Sequence, residues 1–360
     1  MIYALAPPIR ITLQSRIRAT FFIVIVAIGM RLMVFEEYEK PAACWTGIET
    51  LNGRDYKTLT IILRSGGCSW GSCLMCGYTH VRYRDLDPRF LDRKIRGQIA
   101  WVQREYSLAD YTLVKIFTSG SFLDPREVPR ETQAAVVKAF SEKVVILETR
   151  PEHVDEQWVG FLRETVGGEG EEIPLYLAMG LETTNDYIRE KCIRKGLTCE
   201  DFVQGAGKAH RAGAGVKTYL LMKPPFLTEQ EAIVDMITSV HEAWRWSDLI
   251  SMNLCTVQSS TPVEWFWRNG AYRPPYLWSV LTVLAALERP IACDPVGGGT
   301  RRGPHNCGTC DATLVEGIRS YSLSGDRSLI DALLRVECGC REEWRYVLEN
   351  EMPFCLPLTR

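Results

Sequence analysis

Three cysteines stand close together in the segment GGCSWGSCLMCGY: Cys68, Cys73 and Cys76. As thiolates they are soft ligands that suit iron or zinc. The segment follows a β-branched run, TLTIIL from Thr58 to Leu63, which reads as a buried strand. The three thiols therefore gather at one strand end. A structural zinc ion takes four protein ligands, whereas three thiolates on an iron–sulfur cube leave one iron open to a further ligand. His80 could complete a zinc set, so both metals stand at this point.

A second cysteine group lies near the C-terminus. Cys293 opens CDPVGGGTRRGPHNCGTCD, which supplies Cys307-x2-Cys310, and Cys338-Gly-Cys340 follows. Paired thiolates separated by a short segment point to a four-thiolate metal site holding zinc or a second iron–sulfur cluster. The expected ligands are Cys293, Cys307, Cys310 and Cys340, with Cys338 as substitute. Arg301, Arg302 and His305 lie inside this loop, where a phosphate contact and a solvated loop are the two readings. Cys192, Cys199 and Cys255 sit among apolar or helical neighbours and read as core thiols. Cys44 and Cys355 have no assigned role. The tryptophans at 244, 246, 265, 267 and 278 read as core packing, with base stacking as the alternative.

The elements that must hold these loops alternate. Strand-like runs are Thr58–Arg64, Leu113–Thr118, Val144–Glu148, Leu175–Leu181, Val216–Met222 and Leu249–Val257. Helical stretches are Pro88–Tyr106, Arg130–Phe140, Asp201–Ala212, Glu229–Arg245 and Tyr276–Leu287. Continuous apolar strands alternating with helices belong in a parallel sheet covered by helices. Polar residues cluster just after the strands: the cysteine loop, Ser119-Gly120-Ser121, Glu148–Arg150, Glu182–Thr184, Lys223 and Gln258. In a parallel barrel that is the face where sites are built. The fold class is α/β: a partial (β/α)6 barrel, residues 37–288, followed by a small cysteine-rich metal-binding domain, residues 289–360. Residues 1–36 form an N-terminal extension.

The chain has 360 residues, 46% of them apolar, and a formal net charge of −2. That supports a large core and excludes a global basic field for nucleic acid, so any RNA contact needs a local patch. Thirteen cysteines in a chain this large suit reduced thiols and metal sites in a cytoplasm better than a disulfide scaffold. Phe21–Met30 behind Arg16 and Arg18 resembles a signal-peptide core, but it is short for a membrane span and lacks a cleavage site. The expectation is a packed element or an upstream extension from a misassigned start, with no stable membrane association. No phosphate-binding loop of the G-x-x-x-x-G-K-[ST] type and no zinc-deaminase signature occurs.

The cysteine loop after the first strand of a partial barrel resembles the radical S-adenosylmethionine (SAM) superfamily over roughly residues 56–270. Its spacing, four residues between the first two cysteines, is one longer than the superfamily's commonest, and Met75 stands where an aromatic is usual. The resemblance implies a [4Fe–4S] cluster on Cys68, Cys73 and Cys76 and SAM on its open iron. It also implies SAM contacts from Ser119, Gly120 and Ser121 to the amino group, Glu182 to the ribose and Arg194 to the carboxylate. GCSWGSCLMCGY, ETRPEH and RRGPHNCGTCD together are similar to the RaSEA family of archaeosine-forming radical SAM proteins. That similarity implies a tRNA whose D-loop deazaguanine carries lysine added by the partner enzyme ArcS. It further implies lysine C–N cleavage by a 5′-deoxyadenosyl radical and a reductant of unknown identity. The competing reading is a zinc-dependent RNA-binding protein without radical chemistry.

Overall fold

Eight strands hydrogen-bond in chain order within one sheet. They are β1 (Ala43–Leu51), β2 (Arg54–Ile62), β3 (Leu113–Phe117), β4 (Val144–Thr149), β5 (Leu175–Glu182), β6 (Gly215–Met222), β7 (Leu249–Leu254) and β8 (Ala292–Asp294). The computed structural model describes residues 40–167, 174–353 and 357–359. From β2 onward every neighbouring pair is parallel; β1 alone runs antiparallel, against β2. Residues 41–360 form one compact unit. The apolar segment 21–30 lies outside the described residues, among which no helix is long and apolar enough to cross a membrane.

All six strands expected from sequence are present, and two more join them. β1 and β2 are linked through Asn52 and Gly53, both at positive φ (51° and 79°), the conformation that a tight two-residue hairpin requires. β8 is three residues long and pairs with β7. The boundary expected near residue 288 thus falls just before a strand that carries the sheet into the cysteine-rich segment.

Strand alternation divides the side chains between two faces. Val145, Leu147, Leu177, Met179, Val216 and Leu220 point into the main core beneath the helices. Leu113, Val144, Ile146, Tyr176 and Ala178 occupy the inner face, where Leu51 and Tyr56 of the hairpin pack on them. Glu49 of β1 reaches across this face to the ammonium groups of both Lys115 on β3 and Lys217 on β6. One carboxylate touching strands three places apart means that the sheet curls into a part-barrel around its inner face. Thr50 Oγ1 donates to the carbonyl of Leu323 at 2.6 Å, tying the hairpin to the helix Asp311–Ser324 that packs on β8.

Helix starts are capped by side chains that satisfy free N–H groups. Asp87 caps Pro88–Glu105, and Thr198 and Thr228 form capping boxes with Asp201 and Glu231.

Candidate active site and metal centre

The segment after β2 is pinned by partners from the whole strand-end rim. Gly66 N donates to the Glu127 carbonyl at 3.0 Å, Leu74 N to the Ile193 carbonyl at 2.9 Å, and Gly77 N to Gln258 Oε1 at 2.6 Å. Trp70 Nε1 donates to the Arg194 carbonyl at 2.7 Å. Gly67 and Gly71 sit at φ 84° and 57°, which lets the longer loop turn back on itself. Cys68, Cys73 and Cys76 are all partly buried within it. Burial raises the Cys73 thiol to about 11, with Lys195 pulling the other way. It raises Cys76 too, against a backbone donor from Tyr78. These protons must leave when a metal binds.

Gly120 tests the fit of a cluster against this loop. A Cβ there would stand 2.5 Å from both Cα and Cβ of Cys68, so a bare glycine backbone is what lets the first cysteine settle over β3. His80 does not turn toward the thiols; its Nε2 lies 3.4 Å from the Ser260 carbonyl. Among the described residues, the group of three or more ligand atoms within 4.8 Å of one another is at the C-terminal site and not in this loop. At least one pair of the loop's three sulfurs therefore lies more than 4.8 Å apart, beyond the roughly 3.8 Å edge of a tetrahedral zinc site. Three thiolates without His80 are the donor set of an iron–sulfur cube with one open iron.

Charged groups gather beside Cys73. Lys195 Nζ pairs with Glu182 Oε1 at 2.6 Å, and both side chains are nearly buried. Burial pulls Lys195 down, but Glu182 and the Cys73 sulfur outweigh it and hold the ammonium up. Glu182 ends β5 at φ 68°, beside a break in register at Gly180–Glu182. Strain of this kind, about 1–3 kcal/mol, is found where a site needs a fixed side-chain direction. Glu148 ends β4. Burial pushes its carboxyl up to about 8; Lys195 opposes the rise and Glu127 adds to it. Arg150, 5% exposed, donates from Nη2 to the Lys195 carbonyl at 3.1 Å and faces the Trp70 ring.

The residues expected to touch SAM divide. Ser119 Oγ donates to the Val81 carbonyl, tying β3 to the end of the cysteine loop. Ser121 N donates to Glu127 Oε2 at 2.6 Å, and its hydroxyl bonds Thr149 at 2.6 Å. These groups hold the rim together, and Gly120 supplies close approach. Arg194 is exposed and only its carbonyl faces the loop, through Trp70. The helical turn before it is a π turn, Arg189–Ile193, and Arg194 follows at φ 59°. That geometry sends Lys195 inward, so the cation beside Cys73 is Lys195. Sequence reading placed Glu148 in the polar strand-end set and missed Lys195 and Glu127; Lys195 had no signal beyond adjacency to Arg194.

At the C-terminal site Cys307, Cys310, Cys338 and Cys340 come together. Sulfur–sulfur distances are 3.5 Å for 307–338, 3.7 Å for 310–340 and 3.4 Å for 338–340. Those spacings match the edges of a single tetrahedral ion. Trp278 Nε1 donates to Cys340 Sγ at 3.3 Å and Asn306 Nδ2 to Cys310 Sγ at 3.4 Å, as second partners that orient metal-bound sulfur. Cys307 is the most exposed of the four. Burial raises its thiol, but backbone donors from Thr309 and Cys310 and the Cys338 thiol bring it down to about 6. Cys293 does not join them. It lies on β8, fully buried in the apolar core, where burial pushes its thiol far up. The expected set is corrected accordingly: Cys338 stands in place of Cys293.

The tryptophans also divide. Trp278 is buried, as expected, whereas Trp265 is 62% exposed on the helix Pro262–Arg268.

No family model matches the chain. Among known proteins it is 41% identical over 324 residues to archaeosine synthase subunit beta of Methanosarcina acetivorans, covering 87% of this chain and 91% of that one. The chain belongs to the archaeosine synthase subunit beta family. The same-named protein of Thermococcus kodakarensis is 35% identical over 324 residues, 85% of this chain and 96% of that one. Among solved structures, Elp3 of Methanocaldococcus infernus superposes with a TM-score of 0.45 at 15% identity, covering 65% of this chain and 59% of that one. The family is the one that the cysteine and arginine motifs resemble.

Proposed function

We propose that this member of the archaeosine synthase subunit beta family is a radical SAM lyase. In this reading it cleaves the lysine C–N bond of a lysine-bearing deazaguanine in the tRNA D-loop and leaves the formamidine of archaeosine. The observation that carries the reading is Cys68, Cys73 and Cys76 on one strand-end loop in a chain of this family. A [4Fe–4S] cluster on those thiolates, with SAM on its open iron, supplies a 5′-deoxyadenosyl radical when bound.

The chain's own groups do the rest. Gly120 gives Cys68 its seat, and Gln258 and Trp70 fix the loop. Lys195 and Glu182 present a paired ammonium and carboxylate next to Cys73, complementary to the two ends of a zwitterionic amino acid. Glu148, kept protonated by burial near neutral pH, can donate a hydrogen bond or a proton inside the barrel. Lys195 takes the role first assigned to Arg194. Cys307, Cys310, Cys338 and Cys340 hold one zinc ion that stiffens the C-terminal segment. The name subunit beta supports work alongside a second protein, which in this reading is ArcS, with an external reductant.

The test is anaerobic: reduced, iron-reconstituted protein is incubated with SAM and lysine-bearing tRNA and scored for 5′-deoxyadenosine and archaeosine. The two products should appear together and require lysine on the tRNA. A colourless protein that carries zinc alone and leaves SAM intact would establish the RNA-binding alternative instead.

A further inference from the structure

A cavity of about 360 Å³ opens beside the cysteine-rich loop, well away from Cys73 in sequence. Trp267, Arg268, Tyr272, Arg273, Arg301 and His305 line it, and no acidic side chain is among the described residues that line it. Three guanidinium groups on one cavity stand out in a chain whose net charge is −2.

Arg273 is the least ordinary of them. It is 3% exposed, with Nη1 on the Pro274 carbonyl at 2.8 Å and Nη2 on the His305 carbonyl at 2.9 Å. Its Nε is buried with no hydrogen-bond partner among the described residues. No carboxylate among the described residues pairs with it; its guanidinium instead lies 3.4 Å over the Tyr276 ring, a cation–π contact that covers one face. Arg301 is exposed and likewise without a partner among the described residues. Arg268 shares the Glu264 carboxylate with Arg302, so one anion serves two cations. Trp267 is half-buried, and Arg302 lies 5.1 Å over its ring.

The cavity belongs to the rim of the cysteine loop. Val257 N donates to the Arg302 carbonyl at 2.8 Å, Arg302 Nε returns a bond to the Val257 carbonyl at 3.0 Å, and the next residue, Gln258, holds Gly77.

We infer that this cavity is a docking site for an RNA phosphodiester, with the exposed Arg268 and Arg301 taking the phosphate, Arg273 adding positive charge to the wall and Trp267 offering an apolar face to the adjoining nucleoside. The inference rests on the tRNA-modifying reading above and adds the surface that holds the substrate. Guanidinium is the group suited to it, since its fixed fork matches two phosphate oxygens. The cavity volume lies in the range that takes a nucleotide-sized group.

The experiment uses full-length, reconstituted protein and measures substrate tRNA binding by anisotropy over a salt series, with SAM cleavage in the absence of tRNA as the control. Arg301→Glu changes an exposed side chain with no hydrogen-bond or ion-pair partner among the described residues and should leave the fold intact. It should weaken tRNA roughly tenfold and flatten the logarithmic salt slope by about 1, while Arg301→Lys, which keeps the charge and loses the fork, should keep the salt slope and fall between the wild type and Arg301→Glu in affinity. Arg268→Ala should weaken binding in the same direction. Uncoupled SAM cleavage should not change in any of the three. Unchanged tRNA affinity and salt slope in Arg301→Glu, with tight binding by the wild type, would overturn the inference and leave the proposed function standing. A wild type that binds no tRNA would overturn both. Inorganic phosphate and adenosine monophosphate are the remaining probes: if they protect the wild type from unfolding and not Arg301→Glu while tRNA affinity stays equal, the cavity takes a free anion and the RNA assignment fails.

Discussion

Replacing Glu49 with Gln tests whether the β1–β2 hairpin is held across the inner face by charge. The carboxylate is 15% exposed and meets two ammonium groups, Lys115 at 19% and Lys217 at 6%. Burial alone would raise the Glu49 carboxyl, but Lys217 and then Lys115 outweigh it and bring it from 4.5 down to about 2. At about 1.4 kcal/mol for each pH unit, that is roughly 3 kcal/mol of stabilisation of the charged form. The lysine side points the other way. Lys115 is also lowered, because burial and the Lys217 charge exceed what Glu49 returns. Both shifts have one origin: a single anion is over-compensated by two cations, and Lys115 is under-compensated. The carboxylate side measures what is lost when Glu49 goes; the lysine side shows that the intact triad gives little net stability.

Glu49→Gln should therefore cost about 3 kcal/mol in urea unfolding near pH 7, because it strands two buried ammonium groups. Replacing all three together, Glu49→Leu with Lys115→Met and Lys217→Met, should come within about 1–2 kcal/mol of wild type. The sign with pH follows from a depressed native pKa. The Glu49 contribution is complete above 4.5 and is lost as pH falls through about 2, so the gap between wild type and Glu49→Gln should narrow over that window. A single variant that costs under about 1 kcal/mol, or a gap independent of acid, would refute the reasoning.

Three further outcomes are expected. Cys338→Ser should lose zinc by elemental analysis and melt lower, whereas Cys293→Ser should keep its zinc; the reverse would restore the ligand set first expected from sequence. Gly180→Ala places a Cβ 2.4 Å from Lys195 Nζ and 2.5 Å from Glu182 Oε1, both far ends of flexible side chains. The fold should survive while the pair is displaced, lowering SAM cleavage by roughly tenfold or more, and an unchanged rate would remove that pair from the site. Asp235, raised to about 6 by burial against a Thr183 hydrogen bond, subtracts stability as pH rises from its unfolded value through 6. Asp235→Asn should therefore be the more stable protein near pH 8 and lose that advantage near pH 4, as read from urea midpoints.

The six central strands were legible because each is a continuous apolar run, which only a strand buried on both faces needs. β1 was missed although Leu51-Asn52-Gly53-Arg54 carries the turn chemistry of a hairpin; its apolar residues do not mark one face, since Trp45 and Ile48 are exposed while Glu49 turns inward. β8 is three residues of a cysteine-rich stretch, and its membership depends on β7 lying beside it. The same strand bears on the ligand set: spacing alone cannot distinguish Cys293 from Cys338, but Cys293 is held on β8 and its sulfur is not in the group that converges. Arg194 and Lys195 are adjacent cations, and only the π turn before them decides which enters the site.

The two thiolate groups ask different things of similar chemistry, and their surroundings reflect it. Cys307, Cys310, Cys338 and Cys340 close to within bonding distance of one ion and receive N–H donors at their sulfurs, which leaves no ligand position over. Cys68, Cys73 and Cys76 are spread wider, share their rim with Lys195, Glu182 and Glu148, and depend on glycine at 120 for room. A closed donor set supports structure; a wide one beside paired charges supports a reactive ligand. Between them run Gly77, Gln258, Val257 and Arg302, a continuous set of hydrogen bonds from the cysteine loop to the arginine-lined cavity. If RNA is held at that cavity, the knuckle's role is to fix the arginines, and loss of its ion should reach catalysis through substrate placement and not through the thiolates at 68, 73 and 76.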